Sequence, residues 1–265
     1  MRLIILTSNQ LRHRFFVNFL KQRHHLVGAV MESKKRDPLK KEWPPLLKER
    51  VLAYFRERAK SEEKYFGGFS QLALASQAVL TIEGGMLNDT AVIKKIASWR
   101  GDCLVAFGSS IIKKEILSLV PEKRAINMHL GLSPYYRGSG TNFWPLFNGQ
   151  PQYVGVTIHF LDEGIDSGEV IVQGRPEIVS GDTPHSIGNK TIIKGAQLLS
   201  QVLSRIDKGE EVKGEKQDLR SGRLYRFDQC TAQHIVELTE RWDRVLAKYL
   251  AEKDRLPAIK LINTL

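Results

Sequence analysis

The first 31 residues constrain the fold most strongly. Residues 2–7 form an apolar run, residues 11–22 place four large apolar side chains on one helical face, and residues 25–31 form a second apolar run. Apolar runs of this length are typical of strands that are buried on both faces of a parallel sheet. A strand, a helix and a strand in this order make a βαβ unit, so the sequence predicts a doubly wound, mostly parallel α/β sheet.

The rest of the chain continues this pattern and adds two segments outside it. Residues 102–107 are a short apolar run that predicts a central strand. Residues 33–68 are polar, basic and helical in pattern, and they replace the compact connection expected in a minimal repeat, so we interpret them as a helical insertion. Residues 207–265 predict a C-terminal extension that contains an amphipathic helix. The insertion therefore interrupts a main domain over residues 1–206.

Charge and cysteine content restrict the partners and the compartment. The formal net charge of +11 suits an anionic ligand, a phosphorylated substrate or nucleic acid, although a solvated basic surface explains it equally well. Much of the excess lies within residues 34–58. No apolar run reaches the length of about 18 residues that a membrane span needs, so we expect no membrane association. The two cysteines suggest no disulfide framework, and we expect a cytoplasmic protein.

Two linked segments hold the residues suited to chemistry. The first is a short apolar strand that contains Asn127 and His129, whose side chains share one face because residues i and i+2 of a strand point the same way. The second, residues 154–160, alternates in polarity and leads to a glycine-flanked turn with Asp166. We interpret His159 in this strand as mostly structural. No spacing of histidine and cysteine indicates a metal site.

An amide, an imidazole and a carboxylate are the groups that bind a developing oxyanion and move a proton. Each also has an ordinary structural explanation when taken singly: a strand-end cap, a buried hydrogen-bonded ring and a turn residue. The joint pattern resembles the core of the folate-dependent formyltransferases. The matching pieces are Asn127-Met128-His129, the loop 132–138, the strand 155–159 and Asp166-Ser167-Gly168. The family usually has proline directly after the histidine, where this chain has Leu130.

The resemblance implies a Rossmann-like catalytic domain and N10-formyltetrahydrofolate as co-substrate. It implies that Asn127 donates to the formyl oxygen, that His129 donates to it or relays a proton, and that Asp166 orients the histidine or accepts the amine proton through a water. It also implies a pterin site in two loops, although helix packing explains the two consecutive isoleucines equally well. The residues of this site would be Gly108, Ser109, Ser110, Ile111, Ile112, Leu161, Asp162, Glu163, Gly164 and Ile165.

The acceptor is predicted from smaller features. The loop after the first strand lacks the glycine-rich phosphate loop of the glycinamide ribonucleotide enzymes, and the extension is shorter than the β-barrel of the methionyl-tRNA enzymes and helical in pattern. Residues 140–149 resemble a tryptophan-containing helix of the amino-sugar enzymes. We therefore expect N-formylation of a small amine, with an amino-sugar nucleotide as the preferred acceptor. The candidate acceptor residues are Asn9, Arg12, His13, Arg137, Phe143 and Trp144, of which the first three suit helix capping and surface charge as well.

Several alternatives stay open at this point. The chain could formylate methionyl-tRNA or glycinamide ribonucleotide, or hydrolyse formyl folate, although the hydrolases of the family carry an additional N-terminal domain. A non-catalytic relative that binds folate or RNA is the alternative outside enzymes, and the complete set of Asn127, His129 and Asp166 argues against it. We expect a small-molecule partner and no nucleic acid, and a homodimer is left open.

Overall fold

The computed structural model describes residues 1–33 and 42–265. The strands in chain order are β1 (Arg2–Ser8), β2 (His25–Glu32), β3 (Val79–Ile82), β4 (Cys103–Phe107), β5 (Ala125–His129), β6 (Tyr136–Gly138), β7 (Val156–Phe160), β8 (Val170–Gly174) and β9 (Arg223–Tyr225). The α-helices are α1 (Leu11–Lys21), α2 (Pro45–Phe66), α3 (Thr90–Ser98), α4 (Lys114–Leu117), α5 (Phe143–Phe147), α6 (Pro184–Asp207) and α7 (Ala232–Glu252).

A seven-stranded sheet forms the centre of the protein, in the order β3-β2-β1-β4-β5-β7-β8. The five strands from β3 to β5 are parallel, whereas β7 is antiparallel to both β5 and β8. This arrangement confirms the predicted doubly wound, mostly parallel sheet. The strand order reverses between β1 and β4, and ligands of open α/β sheets bind at the carboxyl ends of the strands beside such a point.

Helices cover both faces of the sheet because its strands alternate their apolar side chains. On β1, Leu3 and Ile5 point into the core cluster beneath α1 and α6, while Ile4 and Leu6 point into the cluster beneath α3 and α4. All four side chains are buried. Burial on both faces explains why the sequence of β1 is apolar without interruption.

The helical insertion contains α2, which starts at Pro45, because proline suits the first turn of a helix. Residues 34–41, which belong to the predicted insertion and to its basic run, lie outside the described residues. The helix α6 starts after Thr183, whose hydroxyl accepts a hydrogen bond from the Ser186 backbone N–H at 3.1 Å. This cap supplies a partner to one of the backbone N–H groups that have none within the first turn of a helix.

The C-terminal extension packs along the main domain. Its strand β9 pairs in parallel with β6, and its helix α7 contacts α2 and α5. Ile235 and Trp242 are buried on the inner side of α7, and the Trp242 indole donates a hydrogen bond to the Asp182 carbonyl at 2.8 Å. Among the described residues, no helix is both long and apolar enough to cross a membrane.

Candidate active site

Four polar side chains meet where the parallel and antiparallel parts of the sheet join. Asn127 and His129 project from β5, and His159 lies directly opposite Asn127 in the antiparallel pairing of β5 with β7. Asp166 follows β7 and has a left-handed backbone conformation with φ +49°. The structure therefore brings together the three residues that the sequence singled out and adds His159 to them.

The Asp166 carboxylate is the centre of this cluster. One oxygen, Oδ2, accepts the Gly138 backbone N–H at 2.8 Å and lies 3.2 Å from His129 Nδ1. The other oxygen, Oδ1, accepts from Asn127 Nδ2 at 3.3 Å and lies 3.6 Å from His159 Nε2. Burial disfavours the charged carboxylate, but the two imidazoles and the Gly138 N–H outweigh burial and hold the pKa of Asp166 well below its ordinary value. The carboxylate is therefore ionised at neutral pH.

The two histidines differ in what their second ring nitrogen contacts. His129 Nε2 lies 2.9 Å from the Tyr136 carbonyl oxygen, and Nδ1 faces the Asp166 carboxylate. Both ring nitrogens therefore face groups that can only accept a hydrogen bond. An imidazolium at this position donates to the carbonyl and to the carboxylate together. His159 Nδ1 donates to the Phe160 carbonyl at 2.7 Å, which leaves its Nε2 as an acceptor when the ring is neutral.

The amide of Asn127 has its orientation fixed by these neighbours. Its nitrogen lies 3.1 Å from His159 Nε2 and 3.3 Å from the Asp166 carboxylate, and the amide oxygen would be repelled by the carboxylate. Both amide hydrogens are engaged in this arrangement. Donation to a developing oxyanion therefore requires that the amide turns or that one of the two contacts lengthens. The cluster as a whole can stabilise negative charge through Asn127 and hold or move a proton at His129.

The two predicted pterin loops pack against the same core cluster. In the first, residues 108–112, Ile111 is 65% exposed while Ile112 is buried in the core cluster that also contacts Leu161 of the second loop. In the second, residues 161–165, the Asp162 carboxylate accepts from the Ser167 hydroxyl at 2.8 Å, and Ile165 is 45% exposed. Each loop thus exposes one aliphatic side chain and buries another against this cluster.

The predicted acceptor residues after β1 are largely enclosed. Arg12 is ion-paired with Glu62 at 2.7 Å, and Arg58 contacts the same carboxylate oxygen at 3.0 Å. Burial, and then the charge of Arg58, lowers the pKa of Arg12 to about 9. His13 is buried against the Phe107 ring, with 4.8 Å between the ring centroids, and Asn9 is half-buried. The first turn of α1 therefore contacts the end of β4 through His13, but Arg12 in the same turn is already paired.

The other three predicted acceptor residues contact the C-terminal extension. Arg137 Nη2 donates to the Leu219 carbonyl at 3.2 Å. Trp144 is 5% exposed and stacks on Tyr225, with 4.8 Å between the ring centroids and 19° between the planes. Phe143 lies edge-on to Trp144 at 5.4 Å. The structure does not bring these side chains to the Asp166 cluster.

Sequence reasoning missed three groups that contact the cluster. His159 was interpreted as mostly structural, and its ring lies against Asn127 and Asp166; its place on the polar face of an alternating strand, two residues after Thr157, was the available signal. The contacts of the Gly138 N–H and of the Gln217 amide could not be predicted, because no pattern of side chains in the sequence indicates them. Gln217 Nε2 donates to the backbone carbonyls of Asp166 at 3.0 Å and Gly168 at 2.6 Å, and thereby ties the C-terminal extension to the turn.

The fold and the cluster define a doubly wound α/β protein with an amide, two imidazoles and a carboxylate in contact where the parallel and antiparallel strands meet. The family described as "Formyl transferase" matches residues 54–203, which is more than half of the chain. The chain belongs to the formyl transferase family.

Curated relatives match part of the chain. The methionyl-tRNA formyltransferase of Pelotomaculum thermopropionicum is 33% identical over 155 residues, which cover 58% of this chain and 46% of that protein. The chain spans about half the length, or less, of the curated relatives that it matches.

Solved structures share the fold at low identity. A sugar N-formyltransferase from Shewanella sp has a TM-score of 0.55 at 17% identity, and the superposition covers 86% of this chain and 78% of the Shewanella chain. Glycinamide ribonucleotide transformylase 1 from Symbiobacterium toebii has a TM-score of 0.54 at 16% identity, with coverages of 82% and 94%. An N-formyltransferase from Helicobacter canadensis, solved with folinic acid and dTDP-3-aminofucose, has a TM-score of 0.51 at 18% identity, with coverages of 86% and 72%. Because similar scores come with different named substrates, the fold alone does not select an acceptor.

Proposed function

We propose that this protein transfers a formyl group from N10-formyltetrahydrofolate to the primary amine of a small substrate. The observation that carries the proposal is the cluster of Asn127, His129 and Asp166, which combines an amide donor, a buried imidazole and an ionised carboxylate within hydrogen-bonding distances. In the reaction, the amine nitrogen bonds to the formyl carbon, the bond from that carbon to N10 breaks, the amine loses one proton and N10 gains one.

Each residue has a defined part in this proposal. Asn127 donates to the formyl oxygen as negative charge develops on it, once its amide turns away from Asp166. His129, whose Nδ1 faces the carboxylate, can donate to the formyl oxygen or pass a proton to N10 once its Nε2 leaves the Tyr136 carbonyl. Asp166 stabilises the imidazolium and can accept the amine proton through a water. The folate supplies only the activated formyl group.

The two loops near the cluster fit a folate ring. Ile111 and Ile165 present exposed aliphatic surface on two loops that pack against one core cluster, and aliphatic walls with backbone polar groups are typical of sites for flat heterocycles. The folinic acid in the Helicobacter canadensis structure supports the same ligand class for this chain. We therefore assign residues 108–112 and 161–165 to the donor.

For the acceptor we propose an amino sugar carried on a nucleotide. Support comes from the dTDP-3-aminofucose bound to the structural neighbour from Helicobacter canadensis and from the helical extension of this chain. Methionyl-tRNA is the second candidate, because curated relatives of this chain are methionyl-tRNA formyltransferases and the net charge is +11.

A direct competition separates the two acceptors. The protein is incubated with formyl-tetrahydrofolate, charged methionyl-tRNA and a panel of amino-sugar nucleotides, and the formyl group is followed by mass spectrometry. We expect formylation of an amino sugar and none of methionyl-tRNA above background. Formyl groups found solely on the tRNA would refute the sugar acceptor and leave the reaction type intact, whereas transfer to no acceptor, with an Asn127→Ala variant as the blank, would count against the reaction itself.

A further inference from the structure

A buried carboxylate that the proposed reaction does not use lies at the end of β2. Glu32 is 3% exposed, and both of its oxygens accept hydrogen bonds from loops on neighbouring strands. Oε1 accepts from the Gly85 backbone N–H and from the Ser110 hydroxyl, each at 2.5 Å, and Oε2 accepts from the Ser110 backbone N–H at 2.7 Å. One side chain therefore joins the ends of β2, β3 and β4.

The hydrogen bonds of Glu32 require that both oxygens of its carboxylate act as acceptors. Within the part of the chain that the structure describes, its recorded partners are two backbone N–H groups and one hydroxyl, with no ion pair among them. A glutamine of the same size would turn one acceptor into an N–H₂ group that faces a backbone N–H. At least one of the two backbone hydrogen bonds would then be lost.

The loop that Glu32 holds is the loop assigned to the donor. A second brace comes from Asn88, whose amide donates to the Ile111 carbonyl at 2.8 Å and accepts from the Lys113 N–H at 3.0 Å. With its backbone fixed on both sides, the loop keeps Ile112 in the core and leaves Ile111 exposed. An exposed aliphatic side chain on a braced loop is a preformed binding surface, which lowers the ordering cost of binding.

We propose that Glu32 is a positioning residue of the donor site, which holds residues 108–112 in the shape that receives the flat ring of the folate. This inference rests on the proposed function, because it takes this loop to be the donor loop. Glu32 does not touch the reacting atoms, so its loss should weaken donor binding and leave the chemical step unchanged once the donor is saturating.

The test compares Glu32→Gln with Glu83→Gln. Glu83 is exposed and precedes the same glycine turn, so the control makes the same chemical change on the outside of the structure. Tetrahydrofolate binding is measured by calorimetry, transfer by steady-state kinetics, and the loop by hydrogen exchange of residues 108–113. For Glu32→Gln we expect about tenfold weaker binding and a donor KM raised by the same factor, with kcat and the acceptor KM within about twofold of the parent. Hydrogen exchange of residues 108–113 should be faster than in the parent for Glu32→Gln and unchanged for Glu83→Gln.

Two further outcomes keep the inference separate from the proposed function. If Glu32→Gln fails to fold, Glu32→Asp keeps the charge and shortens the side chain by one methylene group, so that at least one of its hydrogen bonds lengthens, and we expect about threefold weaker donor binding. Equal donor affinity in the Glu32 and Glu83 variants, with unchanged loop exchange, would overturn the inference. If the unsubstituted protein binds no folate at all, the proposed function fails, and the exchange experiment still decides whether Glu32 holds this loop.

Discussion

The contact between Gln217 and the turn of Asp166 leads to the most specific prediction. Asp166 has φ +49°, a conformation that costs a residue with a side chain about 1–2 kcal/mol. The Gln217 amide donates to the carbonyls of Asp166 and Gly168, and two such hydrogen bonds contribute about 1–3 kcal/mol together. Because the two quantities are similar, removing the amide should let the turn leave the left-handed conformation.

The expected result of Gln217→Ala is a displaced carboxylate. A shift of about 1 Å in a reacting group can cost about 100-fold in rate, so we expect kcat to fall by about 10- to 100-fold with a small change in KM. The lost hydrogen bonds should also lower the melting temperature by about 2–4 °C for each kcal/mol, as expected for a protein of this size. Formyl-transfer kinetics and differential scanning calorimetry measure the two effects.

Two further variants sharpen this test. Gln217→Glu keeps the length of the side chain but offers no N–H to the two carbonyls, so it should lose at least as much activity as the alanine variant. Gln233→Ala is the control, because Gln233 lies in the same extension and is exposed, and its amide donates to Glu237 at 3.0 Å, away from the Asp166 turn. Turnover within about twofold of the parent in a folded Gln217→Glu protein would refute the reasoning.

Three other predictions concern the site and its surroundings. Alanine at Asn127, His129 or Asp166 should each lower turnover by at least about 100-fold with an unchanged circular dichroism spectrum, and near-normal turnover of a folded His129→Ala protein would contradict the assignment. Tetrahydrofolate should bind at micromolar concentration or tighter, and calorimetry without heat at millimolar ligand would exclude the donor. Burial, and then Arg58, lowers the pKa of His185 from 6.5 to about 4, so the unfolded chain takes up this proton first and up to about 3 kcal/mol of stability is lost between pH 6.5 and pH 4. Urea unfolding of His185→Gln should lack this part of the pH dependence; the same loss in parent and variant would refute the attribution.

The local elements were predictable because their signals are local. The apolar runs and the helical periodicity of the first 31 residues are confirmed by β1, α1 and β2, with ends that differ by one residue at most. Thr183 and Pro45 are local signals of helix starts, and both helices begin there. Such patterns depend on a few neighbouring residues, so they indicate the same element whatever the tertiary contacts of the chain are.

The site was predictable only in part. The two-residue spacing of Asn127 and His129 places them on one face of a strand, but the approach of Asp166 followed from the family resemblance and not from spacing. The role of His159 depends on the register between β5 and β7, which pairs it with Asn127. The register between two strands depends on both of them, so the sequence of one strand alone does not predict it.

The C-terminal extension was the least predictable part. Its sequence predicts an amphipathic helix, and α7 confirms it, but nothing local indicates that β9 pairs with β6 or that Gln217 reaches the Asp166 turn. The interpretation of Trp144 as an acceptor residue came from resemblance, while its burial depends on a stacking partner, Tyr225, that lies far along the chain. The division at residue 207, the acceptor residues and the cytoplasmic location stay predictions.

The pairing of β6 with β9 also bears on the order in which this protein folds. The two strands lie roughly 90 residues apart in the chain, and contacts between distant segments form late because a long loop must close first. The parallel strands and the helices between them can assemble before this closure. The strand β6, which pairs with β9 in a two-stranded sheet, lacks this partner strand until β9 arrives. We therefore expect a folding chain to hold a nearly complete sheet while it is still inactive, so that enzymatic activity reports the last step of folding.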